Sequence, residues 1–500
     1  MPVQDAIPVE IGEWLPDLPP LRNPGALNAR NVIPEINSYR SLNSPQSFTI
    51  PLAGPALGSI WIPNVSGEVL NFAGDANFLY ELVGGVNWNS RASGLTTPEG
   101  NHWSFAQFGN RVIATNNFEP VFYFDIGVSA GFQRLSDASP DAETPPRAQH
   151  IAVIRDFIFL GNLNEPDKGP DWINWSGFNS SEIWEPNQSA QSDAQPLLGR
   201  GGRVQAIVGG NYGLIFQENS IWRADYVGPP LIFNLDEYQT GHGTVAPRSV
   251  VRDRDLTYYY SLDGFYRTNG NSIEPIGNNR VNRWFEENAA VQALDSMQGV
   301  IDRRRRLVIW AFRTSSGATF NNRIIIYNWA ADRWSFGELD SQIISQYSPQ
   351  GLNLDQLDTP LPDGIDIDSI GVDSDAFKRN IVSVAIFDSS NRTAVLAGSA
   401  LPAEVDTVET LSPAGRRETV MSVRPLLESP GDAGISVSIL EKRDEGSSIL
   451  TETLAAPLNQ IGEADVRSNS RRKRFRVRAE GRFDSLTGVE YRARTTAGRQ

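Results

Sequence analysis

The chain has no cysteine, and its 500 residues include only three histidines and three methionines. Without cysteine the protein has no disulfide, no thiolate metal ligand and no cysteine nucleophile. The histidines (His102, His150 and His242) are too few for a histidine-rich metal site, and we expect each of them in the core or in a turn. No P-loop, dinucleotide-binding or HExxH signature occurs. We therefore expect no cofactor and no metal site.

Long apolar runs and targeting signals are also missing. No stretch approaches the roughly 18 apolar residues that a membrane-spanning helix needs. The first residues, MPVQDAIPVEIGEW, lack a basic segment followed by an apolar one, so we expect no signal peptide. The sequence predicts a chain without a membrane anchor that is made and assembled in a cytoplasm.

Basic residues are scarce, and only four of the 44 are lysine. The net charge is −15, but residues 1–415 carry 47 acidic against 28 basic groups, whereas 416–500 carry 12 against 16. An acidic body repels nucleic acid and anionic lipid at long range. This composition argues against a protein that grips DNA and suits a surface that DNA passes without adhering.

Strand-and-turn phrases recur along the chain at a spacing of roughly 45 residues. The strands that define the repeat are EVLNFA (68–73), RVIAT (111–115), DFIFL (156–160), YGLIFQ (212–217), DLTYYY (255–260), RLVIWA (306–311) and IVSVAI (381–386). Further short strands usually precede and follow each of them. Four short antiparallel strands per repeat are typical of a propeller blade. The sequence predicts an all-β fold, a β-propeller of six or seven blades over 56–410, with unrelated hairpins in sandwiches as the alternative.

Two regions lie outside the repeat. Residues 1–55 are rich in Pro and Asn with little periodicity, which predicts an extended N-terminal arm that orders against a neighbouring subunit or an adaptor. Residues 416–500 alternate as strands, which predicts a separate, small C-terminal β-sandwich. Residues 402–415 would link it to the propeller.

Catalytic motifs occur only as fragments, so we expect no enzyme and no catalytic residues. Residues 127–131 match G-x-S-x-G, but they lie between two β-segments, which indicates a hairpin turn rather than a nucleophile elbow. Residues 261–264 nearly repeat the Asp-box of sialidase propellers, so a glycosidase stays open as an alternative. The acidic loop 361–375 could bind a cation such as calcium, but it fails the EF-hand pattern, and a solvated loop is favoured.

Two arginine-rich runs remain. The run DRRRR (302–306) precedes a core strand and indicates a turn at the end of a blade. Within 467–482 the alternating residues Arg472, Arg474, Arg476 and Arg478 would share one face of a strand. Such a stripe could contact phosphate. A solvated sheet face, or a salt-bridged contact with an acidic neighbouring subunit, is the favoured alternative.

Several segments, in order, resemble one family of virion proteins. They are WLPDLPPLRNPGALNARNVIPEINSYRSL (14–42), NFAGDANFLYEL (71–82), WSFAQFGNRVIATN (103–116), HIAVIRDFIFLGN (150–162), WINWSGFN (172–179), QAIVGGNYGLIFQENSIWR (205–223), DGFYRTNG (263–270) and IIYNWAADRW (325–334). Residues 416–500 are matched only loosely. The chain is similar to the tail nozzle proteins, or tail tubular protein B, of short-tailed bacteriophages.

This resemblance implies a propeller-bearing structural protein of the phage tail. Such subunits form a homohexameric ring below the portal and the tail adaptor protein, and the ring is the distal DNA conduit that retains the genome and releases it at DNA ejection. Double-stranded DNA would pass without sequence recognition. Tail fibres dock on the ring in several systems, but this chain lacks an obvious large inserted domain for them. The alternatives are a carbohydrate-binding or carbohydrate-cleaving propeller used in host recognition and a generic protein-interaction propeller.

Overall fold

A computed structural model describes residues 6–20, 23–63, 69–314, 318–349, 382–412, 417–431, 433–442 and 450–495. The regular secondary structure of these segments is almost entirely short β-strands, which confirms the predicted all-β class. The helices among them are α1 (Asn282–Asn288) and the 3₁₀ turns Leu135–Asp137, Pro247–Ser249 and Val291–Ser296.

Five short strands precede the first repeat. They are β1 (Ile7–Glu10), β2 (Ala29–Arg30), β3 (Val32–Pro34), β4 (Tyr39–Ser41) and β5 (Gln46–Ser47). Only β3 and β4 pair with each other. The other three pair with strands that lie hundreds of residues further along the chain.

Blades one to three are antiparallel sheets of four consecutive strands each. Their strands are β6 (Gly58–Pro63), β7 (Val69–Gly74), β8 (Phe78–Val83), β9 (Asn87–Ser93); β10 (Ser104–Phe108), β11 (Arg111–Thr115), β12 (Phe122–Asp125), β13 (Gln133–Arg134); β14 (Ala148–Ile154), β15 (Phe157–Leu163), β16 (Trp172–Trp175) and β17 (Asp193–Pro196).

Blades four to six repeat this order. Their strands are β18 (Val204–Val208), β19 (Gly213–Gln217), β20 (Ser220–Gly228), β21 (Ile232–Thr240); β22 (Val251–Asp253), β23 (Leu256–Ser261), β24 (Gly264–Thr268), β25 (Ile273–Pro275); β26 (Gln298–Asp302), β27 (Leu307–Phe312), β28 (Asn321–Asn328) and β29 (Arg333–Ser341).

The seventh blade combines the two ends of the propeller. It consists of β30 (Ile344–Tyr347), β31 (Ser383–Phe387), β32 (Thr393–Val395) and, as its fourth strand, β5 from the N-terminal region. Ser47 lies opposite Ala394, and Gln46 lies opposite Val395. The strand β30 also contacts β6 of the first blade. The ring therefore closes with seven blades, the larger of the two predicted numbers.

Each blade buries its faces against its neighbours, through aromatic side chains at several of the contacts and through aliphatic ones between the sixth and seventh blades. The ring of Phe72 in the first blade lies 5.1 Å from that of Phe124 in the second, and Phe216 in the fourth lies 5.0 Å from Tyr259 in the fifth. All four side chains are buried. A lone four-stranded sheet cannot cover both of its apolar faces, so the circular arrangement is what buries them.

The remaining strands form two facing sheets beside the sixth blade. They are β33 (Ala403–Asp406), β34 (Thr410–Leu411), β35 (Glu418–Glu428), β36 (Ser436–Lys442), β37 (Thr451–Glu452), β38 (Ala456–Pro457), β39 (Ser468–Ser470), β40 (Arg472–Ala479) and β41 (Ser485–Thr495). One sheet has the order β3-β4-β41-β35-β39, with β1 on β41; the other runs from β29 through β2-β33-β40-β36-β37. Phe475 and Tyr491, 5.0 Å apart, join the two sheets.

The structure differs from the extended arm predicted over 1–55, because strands of the same chain order this region. Arg30 lies opposite Phe336 of the sixth blade on one side and Glu404 of β33 on the other. Trp14 is fully buried, with its ring 4.8 Å from Trp284 and 5.0 Å from Phe336. The predicted linker likewise contains β33 and β34. The propeller and the C-terminal sheets therefore share strands and core across the predicted boundaries.

Candidate functional site

The inner strands of the seven blades surround a channel along the propeller axis. At one end it widens into a cavity of about 250 Å³, to which every blade contributes residues, and towards the other end it widens again to about 530 Å³. Ser59, Gly299, Ile344 and Ser345 line both spaces. We call the smaller space the axial cavity. Because equivalent positions of successive blades meet at the axis, residues far apart in sequence converge there.

Two of the three histidines line the axial cavity. The ring centroids of His102 and His150 are 6.0 Å apart. The Gln149 side-chain amide donates to the backbone oxygen of His102 at 3.0 Å and lies 3.3 Å from its Nδ1. His150 is only 7% exposed, and its Nε2 has no hydrogen-bond partner within the described ranges. The cavity wall thus holds a buried imidazole nitrogen that the surrounding protein does not satisfy.

The environment keeps both imidazoles neutral. Burial lowers the pKa of His150 to about 3, against a smaller opposing effect of a hydrogen bond between the imidazole and the Val204 backbone. Burial, followed by the charge of Arg248 and then by His150, lowers the pKa of His102 well below its ordinary value. A neutral imidazole has one N–H to donate and one nitrogen that accepts. At neutral pH each histidine therefore has one donor and one acceptor nitrogen and adds no charge to the cavity wall.

Arg248 supplies a positive charge to the same cavity. It belongs to the 3₁₀ turn that precedes β22, and its Nη2 reaches the Asp295 backbone oxygen at 3.5 Å while its Nε has no described partner. Burial lowers the pKa of Arg248 to about 10, an effect that Asp295 opposes and Arg313 reinforces. No carboxylate occurs among the described residues that line the cavity. Arg248 stays charged at neutral pH, and the described residues that line the cavity with it supply no anion.

The arginine at the wider space is held differently. Arg252 donates from Nη1 to the Tyr212 backbone oxygen at 3.0 Å and from Nε to the Arg254 backbone oxygen at 2.9 Å. Its guanidinium also lies 4.2 Å from the centre of the Tyr212 ring. Carbonyl oxygens and an aromatic face therefore satisfy this charge. The two arginines of the channel differ in whether the protein itself provides their partners.

Arg474, from the predicted arginine stripe, binds the N-terminal region. It is 1% exposed, and Nη1 donates to the backbone oxygens of Gly25 and Thr407 at 2.6 and 3.1 Å. Nη2 donates to those of Pro20 and Asn23, both at 3.1 Å. One guanidinium thus satisfies four carbonyl groups and fastens Pro20, Asn23 and Gly25 to β40.

Arg476 and Arg478 join a network of carboxylates on neighbouring strands. Arg476 forms a bidentate pair with Asp406, at 2.6 and 3.0 Å, and also reaches Glu404 and Glu452. Arg478 lies 2.8 Å from Glu404 and 2.5 Å from Glu452. Bidentate arginine–carboxylate pairs are among the stronger polar contacts in proteins. This part of the stripe is neutralised within the chain, whereas the predicted salt-bridged alternative placed the acidic partners on a neighbouring subunit.

The basic side chains at the start of β40 also form ion pairs. Arg472 lies 3.2 Å from Glu409. Lys473 points to the opposite, inner side, where it pairs with Glu418 at 2.5 Å with neither side chain exposed, and lies 5.0 Å from the centre of the Tyr491 ring. The predicted contact of the stripe with phosphate or a partner stays a prediction. Its guanidiniums, however, already bind groups of their own chain.

The motif fragments lie in turns. Residues 127–131 connect β12 to β13, and the Ser129 hydroxyl accepts a hydrogen bond from the Asp125 backbone N–H at 3.0 Å. Residues 261–264 form the β23–β24 hairpin, and 302–306 form the β26–β27 turn. A nucleophile elbow needs a strand-to-helix turn, which 127–131 do not form.

Neither a metal centre nor a membrane span is found in the described ranges. Within them, no group of three or more His, Asp or Glu side chains is placed to hold a metal ion. None of the described helices has the length and hydropathy to cross a bilayer. The acidic loop 361–375, the predicted cation candidate, lies outside the described residues.

Sequence reasoning missed the axial cavity. It placed His102 and His150 in the core or in turns, and it did not single out Arg248. A usable signal exists, because the histidines are 48 residues apart, close to the blade repeat, and each lies near the start of an inner strand. Aligning the repeats on their inner strands would have brought them together.

Comparisons with known proteins add structural neighbours but no family. No protein-family model matches the chain, and no curated protein matches its sequence. Among solved structures it is similar to the Neurospora crassa Pan2 WD40 domain, with a TM-score of 0.41, 10% identity, and coverage of 73% of this chain and 96% of that chain. It is also similar to YCF48 bound to D1 peptide, with a TM-score of 0.35, 10% identity, and coverage of 61% of this chain and 87% of that chain. For the computationally designed Ika8 protein the TM-score is 0.35 and the identity 10%, with coverage of 77% of this chain and 100% of that chain.

Proposed function

We propose that the chain is a structural virion protein, the tail nozzle of a short-tailed bacteriophage, which forms the distal DNA conduit. The observation that carries this proposal is the ordered set of matching segments through residues 14–340. These segments coincide with structural units: 71–82 spans β7 and β8, 103–116 spans β10 and β11, and 325–334 joins β28 to β29. The likeness therefore includes both blade strands and N-terminal strands, among them β2, which joins the sixth blade to β33.

The distribution of charge supports passage of DNA rather than its capture. The chain carries −15 overall. Arg472, Arg476 and Arg478, which could have formed a phosphate-binding stripe, pair with carboxylates of the same chain. Affinity for duplex DNA depends on lysine and arginine side chains that neutralise phosphates. A conduit built from such subunits would give DNA few anchors during retention and ejection.

The partners in this proposal are six copies of the chain, the tail adaptor protein and double-stranded DNA in transit, with tail fibres as a further partner. Particle imaging of the purified chain, alone and with its adaptor, tests it. We expect a six-fold ring with a bore as wide as a DNA duplex. A chain that stays monomeric with its adaptor, or a ring with an arginine-lined, strongly positive bore, would contradict the proposal. A monomer that binds glycans on an array would support the carbohydrate-binding alternative.

A further inference from the structure

We propose that the axial cavity binds one small oxyanion of the phosphate type, held by Arg248, His102 and His150. The cavity measures about 250 Å³ and opens at one end of the channel. Pockets for drug-sized ligands usually measure about 300–1,000 Å³. The space is therefore large enough for an inorganic oxyanion or a similarly small carboxylate.

The charge of the cavity selects an anion. Arg248 brings a guanidinium that faces no carboxylate among the described lining residues. Elsewhere in the propeller, Arg111 shows what such a group normally receives, because it binds Asp125 through two oxygens at 2.7 and 2.9 Å and Glu182 at 2.9 Å. A guanidinium has a planar fork of donors that matches two oxygens of a carboxylate or phosphate. An oxyanion in the cavity would supply the oxygens that Asp125 supplies to Arg111.

The histidines provide the second half of the site. His150 lines the cavity and is more than nine-tenths buried, and its buried Nε2 has no partner in the described structure. His102 lies beside it and is fixed by the Gln149 side chain. Phosphate exchanges between protonation states near neutral pH, so it can accept from an imidazole N–H or donate to an unprotonated ring nitrogen. Both tautomers of His150 are therefore compatible with the site.

Calorimetric titration of the full chain with inorganic phosphate, in a buffer free of other oxyanions, tests the proposal. We expect one phosphate per chain. Arg248→Gln should weaken binding at least about tenfold, since it removes the charged donor, and His150→Gln should weaken it by a smaller factor. Arg252→Gln is the matched control, because it changes the arginine of the wider space, whose partners are already supplied. It should bind phosphate as the wild type does.

Several results would overturn the proposal. The first is that the wild-type chain does not bind phosphate even at roughly 10 mM, a concentration that would reveal a weak affinity. The others are that Arg248→Gln binds phosphate as tightly as the wild type, or that Arg252→Gln loses as much affinity as Arg248→Gln. Parallel titrations with sulfate and acetate separate a site for free inorganic oxyanions from one for carboxylates. If acetate binds and phosphate does not, the site is one for a carboxylate group, and the phosphate proposal fails.

The histidines allow a second test that needs no variant. With only three of them, selectively labelled imidazole resonances can be followed in the wild-type protein during the titration. Phosphate should shift the ring nitrogens of His102 and His150. His242 lies outside the cavity, 5.2 Å from the Tyr266 ring, and serves as the internal control. Equal shifts of all three, or shifts of His242 alone, would contradict the assigned site even if Arg248→Gln fails to fold.

Discussion

At the level of single residues, two contrasting arrangements accommodate buried ionisable groups. Lys473 and Glu418 are both fully buried, and each neutralises the other. His102 and His150 instead stay neutral, because burial lowers the pKa of both. An isolated buried charge costs several kcal/mol, so either solution avoids the same penalty. The two solutions respond differently to mutation and to pH.

Replacing Lys473 with Met should destabilise the protein by about 3–5 kcal/mol, since it leaves the Glu418 carboxylate buried without its cation. The double variant Lys473→Met/Glu418→Gln should recover most of that loss, because it removes both charges and its amide oxygen can still accept from the Ser412 and Tyr491 hydroxyls. Urea unfolding of both variants measures the difference. Arg303→Gln, at an exposed pair with Asp253, is the control and should cost less than about 1 kcal/mol. A double variant no more stable than the single one would refute the pairing argument.

The pH dependence of stability should report His150. Its folded-state pKa is about 3, against an ordinary value of 6.5, so the unfolded chain binds the additional proton between these values. Stability therefore falls as the pH drops below about 6.5, and at pH 5.5 this histidine alone should cost about 1.4 kcal/mol relative to pH 8. Chemical unfolding at both pH values checks this.

His150→Gln provides the comparison, since it removes the titrating group and keeps a polar side chain of similar reach. The loss between pH 8 and pH 5.5 should shrink by about 1.4 kcal/mol, and the remainder should reflect His102 and the other titrating groups. Identical pH slopes for the two proteins would show that His150 is not held neutral in the folded state.

At the level of elements, the sequence predicts strands where a local pattern is strong. RVIAT was predicted at 111–115, and β11 spans Arg111–Thr115. The short strands β2 and β5 carry no such pattern, because two residues cannot show periodicity. Their conformation comes from partners far away in the chain, such as Glu404 for Arg30 and Ala394 for Ser47. This is why the sequence of the N-terminal region predicts an extended arm and not strands.

The candidate site escaped prediction for a related reason. Arg248, His102 and His150 come from three different blades, and only the closed ring brings them to one axis. The partners of the arginine stripe were equally hidden, since Asp406 lies 70 residues from Arg476 and Glu404 lies 74 residues from Arg478. Alternation along one strand predicts which residues share a face, but it does not predict what that face contacts.

The closing strand of the ring can be tested through Phe48, which follows β5. Its side chain is fully buried, 5.0 Å from the Tyr347 ring in the seventh blade. Phe48→Ala should destabilise the protein by about 3–5 kcal/mol, because it leaves a cavity where the N-terminal segment seals the propeller. Phe118→Ala removes a side chain that is 46% exposed and should cost less than about 1 kcal/mol. Similar losses in thermal or urea unfolding would contradict the sealing role of β5.

At the level of the whole molecule, the two ends of the chain hold the architecture together. Strand β2 lies between the sixth blade and β33, while β1 and β4 pair with β41 at the far end of the chain. A single core cluster includes Trp334 of the sixth blade, Trp14 of the N-terminal region and Phe475 of β40. Domains that unfold independently usually have separate cores and few contacts across the boundary. This molecule has neither feature between its propeller and its C-terminal sheets.

A chain that ends at residue 410 should therefore not contain a propeller of native stability. Removing β40 and β41 exposes edges of β33, β1 and β4, and it releases the four carbonyl groups that Arg474 binds. We expect one calorimetric transition for the full chain and, for the shortened chain, a transition at lower temperature or none. A matched control retains the full sequence and has a protease site inserted beside Leu454, which is 92% exposed. After cleavage there, both fragments should stay associated and melt close to the intact chain. If the shortened chain melts as the full one does, the C-terminal sheets are an independent domain and the shared core does not stabilise the propeller.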